Sequence, residues 1–184
     1  MSVGFGRIMQ HGYIVSDVEQ MARQWAALVG AGPFYVIDTK MDEYYYRGVR
    51  TPVELRLAFG YWGSIQIELI QPLDNADTLY ARALRSSPAK LNHCATVVSD
   101  IDALLAARGL HSRILQSGSM PTGLKFVYLE EYLPDGSHLE LIQPEGGALQ
   151  AFEGMESVAR NWDGVEPLRP ASALAQDLST LRTG

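Results

Sequence analysis

The sequence Ile-Glu-Leu-Ile-Gln-Pro at residues 67–72 recurs almost unchanged as Leu-Glu-Leu-Ile-Gln-Pro at residues 139–144. Both stretches are short apolar runs that end at proline, a pattern typical of a strand followed by a turn. Each run carries one glutamate in its middle, Glu68 and Glu140, and a carboxylate is costly to bury without a partner. Two glutamates at matching positions of a repeat indicate a shared task, and a metal ion is the simplest partner for both.

The repeat extends upstream of these two runs. Residues 8–18 align with residues 91–101, and both segments contain the triplet Val-Ser-Asp, which ends at Asp17 and at Asp100. The second copy is shorter than the first in its middle. Because a duplicated unit sets the fold, we interpret the two copies as two modules of one architecture.

Each module has the predicted element order β-α-β-β-β. The predicted strands are 8–15, 41–49, 53–61 and 64–71 in the first module, and 91–98, 113–116, 124–131 and 137–143 in the second. The segment Phe34–Asp38 fits either a short strand end or a loop. Ser16 and Ser99 are the expected N-caps of the two helices, which are expected to end at Gly30 and Gly109.

These elements predict an α+β protein built from two tandem βαβββ modules. We expect the modules to pair into an incompletely closed eight-stranded barrel with a C-terminal helical extension. The predicted divisions are a first module at 6–72, a linker with one helix at 73–90, a second module at 91–145 and the extension at 146–184. Apolar spacing in the extension predicts helices at 148–162 and 171–182.

Composition restricts the class of protein. The 184 residues are 47% hydrophobic, which suits one compact domain or two half-domains that share a core. The net charge of −6, without a dense cluster of lysine and arginine, argues against nucleic acid as a partner. One cysteine, Cys94, excludes an intrachain disulfide framework. There is no long apolar run and no secretory signal pattern, so we expect no membrane partner and a cytoplasmic location.

Strand register identifies the other candidate ligands. His93 lies seven residues before Asp100, and the residue seven before Asp17 is Gln10. His11 instead aligns with Cys94 and should point to the opposite face of the sheet, because successive strand residues alternate. The register favours Gln10 as the counterpart of His93, whereas a one-residue slip or bulge would place His11 there.

The candidate metal ligands are Gln10, Glu68, His93 and Glu140, each on the first or last strand of a module. Oxygen-rich ligands with one imidazole suit a divalent cation, with Zn²⁺, Mn²⁺, Ni²⁺, Co²⁺, Mg²⁺ and Fe²⁺ as the candidates. The cation would leave positions open for water or for substrate oxygens.

The doubled βαβββ plan, His-x6-Asp in the second module and Asp135-Gly136-x-x-x-Glu140 resemble the vicinal oxygen chelate superfamily. That superfamily includes lactoylglutathione lyase, methylmalonyl-CoA epimerase, extradiol dioxygenases and bleomycin-resistance proteins. The stretch from Tyr13 through Trp25 to Gly-Ala-Gly-Pro-Phe at residues 30–34 is similar to its glyoxalase-like branch. The resemblance covers about residues 6–145.

The resemblance implies metal-assisted removal of a proton alpha to a carbonyl, as in an isomerase, epimerase or lyase. Glu140 is then the first choice as base, with Glu68 opposite it as the alternate. A small oxygenated substrate would chelate the metal, and Tyr45, Arg47, Arg50 and His138 are the candidate substrate contacts. We also expect a homodimer, because this class often buries exposed sheet edges in that way.

Two other functions stay open at this point. One is a non-catalytic protein of the same fold that binds a small molecule, against which the repeated glutamates argue. The other is an Fe(II) extradiol-type dioxygenase, whose usual set of two histidines and one carboxylate requires His11 rather than Gln10 as a ligand.

Overall fold

The computed structural model describes residues 5–86 and 88–181, in which the chain forms one mixed sheet and five α-helices. The strands are β1 (Gln10–Ile14), β2 (Phe34–Met41), β3 (Tyr44–Tyr46), β4 (Val49–Arg50), β5 (Val53–Trp62), β6 (Ile65–Pro72), β7 (Leu91–Val97), β8 (Ile114–Ser119), β9 (Lys125–Leu129), β10 (His138–Gln143) and β11 (Leu168–Pro170). The helices are α1 (Val18–Val29), α2 (Leu79–Ser86), α3 (Ile101–Arg108), α4 (Ala148–Arg160) and α5 (Leu174–Leu181). Arg182, the last residue of the second predicted C-terminal helix, lies outside the described residues.

The sheet confirms the predicted α+β fold of two modules. The strand order is β11-β2-β5-β6-β1-β7-β10-β9-β8-β3-β4, so each module contributes four adjacent strands in the same internal order. The first strand of each module pairs in parallel with its last strand, β1 with β6 and β7 with β10. The modules meet where β1 and β7 pair antiparallel, and the curled sheet does not close.

The segment 41–49 differs from its prediction as a single strand of the first module. Phe34–Met41 is the second strand of that module, and the tyrosines that follow belong to a short hairpin of β3 and β4. Arg47 and Gly48 both have positive φ, which turns the chain between these two strands. β3 then pairs with β8, so a piece of the first module's sequence extends the sheet of the second.

The two module helices begin one residue later than expected. Asp17, not Ser16, is the N-cap of α1, and its carboxylate accepts a hydrogen bond of 2.9 Å from the backbone N–H of Gln20. Asp100, not Ser99, caps α3 in the same way through Ala103. A carboxylate suits this position because it accepts the free N–H and also opposes the positive end of the helix dipole.

The repeated glutamine of the Glu-Leu-Ile-Gln-Pro run fastens each last strand to the start of its module's helix. The side-chain oxygen of Gln71 accepts the backbone N–H of Val18 at 3.1 Å, and that of Gln143 accepts the N–H of Ile101 at 3.0 Å. Each contact satisfies one of the N–H groups that a helix leaves free at its N-terminus. The repeat therefore preserves a strand-to-helix contact as well as a carboxylate.

Helices cover both faces of the curled sheet. On the outer face, α1 packs on Ile67 and Leu69 of β6, and α3 packs on Leu139 and Leu141 of β10. The C-terminal helix α4 packs against the inner face, where three of its apolar residues join the largest core cluster. None of the helices in the described part of the chain has the length and apolar character that crossing a membrane requires.

Candidate metal centre on the inner face of the sheet

Strand alternation places both repeated glutamates on the inner face of the sheet. Their neighbours Ile67, Leu69, Leu139 and Leu141 face the outer helices, so the residues between them must face inward. Glu68 and Glu140 are nevertheless buried, with exposed fractions of 8% and 5%. Helices cover one face of the sheet and the inner core covers the other, which explains why the two strands are apolar at nearly every position. Each strand nevertheless carries one carboxylate.

The imidazole of His93 lies between the two carboxylates. Its Nε2 is 3.2 Å from Glu68 Oε2 and 3.2 Å from Glu140 Oε2. One ligand atom from each of these three side chains lies within 4.8 Å of the other two. The Tyr128 hydroxyl is 3.4 Å from the same nitrogen, and Asn92 Oδ1 is 3.3 Å from Nδ1.

The electrostatics of this group favour a positive charge at its centre. Burial lowers the pKa of His93, but the charges and hydrogen bonds of Glu140 and Glu68 outweigh burial and raise that pKa to about 9. Burial also raises the pKa of Glu140, against the opposing effect of His93. In the metal-free protein, a protonated imidazole therefore holds the two carboxylates together.

Gly12 gives His93 the space that its ring occupies. The two residues are paired across β1 and β7, and a Cβ atom at position 12 would lie 1.7 Å from His93 Cε1. Any other residue at this position would collide with the ring. A glycine inside a strand often marks such a close approach.

Gln10 and His11 are placed on opposite faces of β1. Gln10 is buried and lines the same inner cavity as Glu68 and Glu140, whereas His11 is half-buried and does not line that cavity. Burial, followed by the charge of His93, lowers the pKa of His11. The geometry therefore brings Gln10, and not His11, to the carboxylates.

The inner cavity is small and mostly apolar. It has a volume of about 40 Å³, and the ring of Phe152, from α4, forms part of its wall. The polar side chains in its wall are Gln10, Glu68, Tyr80, Tyr128 and Glu140, and its apolar ones are Met41, Leu55, Leu57, Phe59, Ile70, Met120, Leu124, Phe126, Ile142 and Phe152. His93 lies behind the carboxylates, with no exposed surface.

The four predicted substrate contacts do not line this cavity. Arg47 forms an exposed ion pair with Glu130, and Arg50 pairs with Glu43, which also accepts the hydroxyl of Tyr45.

His138 lies next to His93 in the sheet, and its Nδ1 accepts the backbone N–H of Glu131 at 2.9 Å. It lines a separate surface cleft of about 400 Å³, together with Arg47. The structure therefore does not bring the predicted substrate contacts to the carboxylates.

Five aromatic residues of the cavity wall are not among the predicted site residues: Phe59, Tyr80, Phe126, Tyr128 and Phe152. The Tyr128 hydroxyl lies 3.4 Å from His93 Nε2, the Tyr80 hydroxyl accepts a hydrogen bond from Gln116 Nε2, and Phe152 reaches the cavity from the C-terminal extension. Tyr128 pairs directly with Glu140 in the β9–β10 ladder, so the two side chains lie on the same face of the sheet and Tyr128 could have been predicted there. Tyr80 and Phe152 come from segments outside the repeat, which no alternation pattern relates to the site.

The donor set fits a divalent cation. The side-chain oxygen Gln10 Oε1 is buried and has no hydrogen-bond partner among the described residues, and the buried Glu140 Oε2 lies 3.2 Å from the imidazole of His93. An unpaired buried acceptor beside two carboxylates is unfavourable unless a cation completes the group. Two ligand atoms bound to one ion at about 2.1 Å lie about 3 Å apart, close to the observed 3.2 Å.

Family comparison agrees with this architecture. Residues 9–128 match the profile of the Glyoxalase/Bleomycin resistance protein/Dioxygenase superfamily, which is more than half of the chain. The chain belongs to this superfamily. No curated protein has a matching sequence.

Solved structures with the same fold cover most of the chain. A hypothetical protein from Bacillus halodurans superposes with a TM-score of 0.56 at 13% identity, over 76% of this chain and 94% of that one. Methylmalonyl-CoA epimerase from Mycobacterium tuberculosis gives 0.54 at 18% identity, over 78% and 91%. A Streptomyces coelicolor methylmalonyl-CoA epimerase variant in complex with 2-nitronate-propionyl-CoA gives 0.54 at 20% identity, over 76% and 97%. At these identities the similarity defines the fold alone.

Proposed function

We propose that this protein is a divalent-metal-dependent enzyme that transfers a proton at the carbon alpha to a carbonyl of a small oxygenated substrate. The observation that carries the proposal is the convergence of Glu68 and Glu140 on His93 Nε2 in a buried, mostly apolar cavity. Such a reaction makes the enzyme an isomerase, epimerase or lyase of the glyoxalase type.

Four side chains would hold the metal: Gln10, Glu68, His93 and Glu140. They supply an amide oxygen, two carboxylates and one imidazole, which suits Zn²⁺, Mn²⁺, Ni²⁺, Co²⁺, Mg²⁺ or Fe²⁺. When bound, the ion supplies Lewis-acid stabilisation of negative charge that develops on the substrate's carbonyl oxygen. His93 would have to give up its proton before its nitrogen could act as a ligand.

Glu140 is the proposed base. Its Oε2 is buried beside His93, and burial raises the pKa of the carboxyl group, so the carboxylate is more basic than one in water. Glu68 lies on the other side of His93 Nε2 and would return the proton. Return to the same carbon gives epimerisation, and return to the neighbouring carbon gives isomerisation.

The mostly apolar lining of the cavity favours a substrate whose bulk is apolar. No lysine or arginine lines the cavity in the part of the chain that the structure describes. A free carboxylate on the substrate would therefore find no side-chain cation there. For this reason we do not propose methylmalonyl-CoA, which is bound in one similar structure, as the substrate of this chain.

The two alternative functions are less well supported. An Fe(II) dioxygenase of the usual type requires a second histidine at the site, and His11 does not line the cavity. A non-catalytic binding protein would have no use for two buried carboxylates and an unpaired amide oxygen. The expected homodimer and cytoplasmic location stay predictions.

Proton exchange tests the proposed chemistry even though the natural substrate is unidentified. Protein equilibrated with Mn²⁺, Ni²⁺, Zn²⁺ or Co²⁺ is incubated in D₂O with alpha-hydroxy ketones, hemithioacetals and alpha-substituted thioesters, and deuterium uptake is followed by NMR. Exchange that requires metal and is lost in Glu140→Gln supports the proposal. Tight binding of a small molecule without metal or exchange would instead favour the binding protein, and oxygen uptake with catechols and Fe²⁺ the dioxygenase.

A further inference from the structure

A chain of three buried hydrogen bonds connects Gln10 to the C-terminal helix α4. Gln10 Nε2 donates to Gln66 Oε1 at 2.8 Å, and Gln66 Nε2 donates to the Tyr61 hydroxyl at 3.1 Å. The Tyr61 hydroxyl in turn donates to the backbone carbonyl oxygen of Phe152 at 3.0 Å. We call Tyr61 and Gln66, which link the other two residues, the glutamine relay.

The direction of every bond in this chain follows from its last member. A carbonyl oxygen only accepts, so Tyr61 must donate its single proton to Phe152. The oxygen of Tyr61 can then only accept from its other neighbour, so Gln66 must present its NH₂ group to it. The amide oxygen of Gln66 therefore faces Gln10, and the NH₂ group of Gln10 must donate to it. By elimination, Oε1 of Gln10 is the atom left for the cavity.

Burial makes this orientation costly to reverse. The exposed fractions are 0% for Gln66, 2% for Gln10 and 4% for Tyr61, so water has little access to these side chains. An amide turned the wrong way would leave a buried donor or acceptor unpaired, which costs about 1–3 kcal/mol.

The relay opposes the orientation that the carboxylates alone would select. Glu68 and Glu140 line the same cavity as Gln10 and would attract its NH₂ group. Instead, the relay leaves the amide oxygen of Gln10 on the cavity side, where it has no hydrogen-bond partner among the described residues. A metal cation bound beside Glu68 and Glu140 would supply the partner that this buried oxygen lacks.

We propose that Tyr61 and Gln66 are positioning residues that fix the amide of Gln10 with its oxygen toward the metal, and that α4 anchors them. This inference rests on the proposed function, because it assumes a divalent cation at Glu68, His93 and Glu140. It gives the C-terminal extension a part in the site, through the carbonyl that sets the polarity of the relay and through the ring of Phe152 in the cavity wall.

The test compares two tyrosine-to-phenylalanine variants. Tyr61→Phe removes the hydroxyl that orients Gln66. Tyr35→Phe is the matched control, because Tyr35 is also buried and its hydroxyl ties the sheet to the extension by donating to Asp177 at 2.6 Å. The readouts are the Kd for Mn²⁺ by calorimetry, the visible spectrum of the Co²⁺ form and the free energy of unfolding.

Tyr61→Phe is expected to weaken Mn²⁺ binding by roughly tenfold or more, as losses behind a metal ligand usually do. It should also change the Co²⁺ spectrum, because an amide oxygen leaves the ligand set. Tyr35→Phe should lower stability without either change. If both variants bind Mn²⁺ as tightly as the wild type, or lose affinity equally, the inference is wrong.

A second pair of variants examines the middle of the relay. Gln66→Glu keeps an acceptor for Gln10 Nε2, since a carboxylate only accepts, and should keep Mn²⁺ affinity at or above the wild-type value. Gln66→Leu removes the acceptor and should lose roughly tenfold. Equal affinities for the two variants would overturn the inference.

Failure of the relay and failure of the proposed function are distinguishable. If the wild-type protein binds Mn²⁺ and the variants do not differ as stated, only the relay is wrong. If the wild-type protein binds none of the candidate cations, the proposed function is wrong, and the role proposed for the relay is wrong as well.

Discussion

The imidazole ring of His93 occupies the space where a side chain at Gly12 would lie. A Cβ atom at position 12 would be 1.7 Å from Cε1 and 2.1 Å from Nε2 of His93. Because Gly12 on the first strand of one module has no side chain, His93 on the first strand of the other can place its Nε2 between the two carboxylates.

Replacement of Gly12 by alanine should displace His93 and abolish metal binding. Overpacking of this kind typically costs about 1–3 kcal/mol in stability. Gly60→Ala is the matched control, because a Cβ atom there would collide with the ring of Phe34, at 2.7 Å, in the outer core. Both variants should lower the free energy of unfolding, but only Gly12→Ala should lose Mn²⁺ binding. Unchanged Mn²⁺ affinity in Gly12→Ala would contradict the placement of His93.

Substitutions at two adjacent residues of β1 decide which one is the ligand. Gln10→Ala should weaken metal binding, because Oε1 of Gln10 is unpaired in the cavity, whereas His11→Ala should leave the affinity unchanged. Calorimetric titration of each variant with Mn²⁺ makes the comparison. The opposite result would restore His11 as the ligand and, with it, the dioxygenase alternative.

Glu140→Gln should separate metal binding from proton transfer. The amide retains an oxygen for the metal but cannot accept a proton, so exchange should fall by at least about a hundredfold. Glu68→Ala, by contrast, should reduce metal content as measured by elemental analysis. Full exchange activity in Glu140→Gln would show that another group is the base, and normal metal content in Glu68→Ala would remove Glu68 from the ligand set.

Metal binding at neutral pH should release a proton. His93 has a pKa of about 9 in the metal-free protein, so it is protonated at pH 7, and it must be neutral to bind a metal. Affinity should therefore rise with pH, by about tenfold per unit for one released proton, and level off above pH 9. Calorimetry at pH 7 in buffers of different ionisation enthalpy measures the release directly. Binding without proton uptake by the buffer would argue against His93 as a ligand.

The repeat made the fold and the inward-facing glutamates predictable. Alternation along the Glu-Leu-Ile-Gln-Pro strands sets Glu68 and Glu140 on one face, and the matched spacing in the two copies relates His93 to Gln10. The predicted helix N-caps are wrong by one residue, because Ser and Asp are both good caps and the triplet contains both. Only the hydrogen bond to Asp17 distinguishes them.

Features that the two copies do not share could not be predicted in the same way. The hairpin of β3 and β4 pairs with the second module, a long-range contact that local patterns do not encode. It carries Tyr45, Arg47 and Arg50 away from the cavity and into exposed contacts. β11 has only three residues and pairs with β2 from beyond both modules.

One residue of the glutamine relay, Gln66, could have been predicted to face inward from strand alternation. Gln66 lies two residues before Glu68 on the same strand, so it shares the inner face. Gly12 likewise interrupts an otherwise β-rich run, which is a sign of close approach. The link from Tyr61 to Phe152 has no such signal, since it depends on how the extension packs.

The proposed function and the glutamine relay both require that one divalent cation binds at Glu68, His93 and Glu140. Anomalous diffraction from crystals of the Mn²⁺-equilibrated protein, collected on both sides of the manganese absorption edge, measures this directly. One strong manganese peak is expected, in contact with those three side chains and with Oε1 of Gln10. Crystals of protein equilibrated with each candidate cation that show no peak between Glu68 and Glu140 would contradict it.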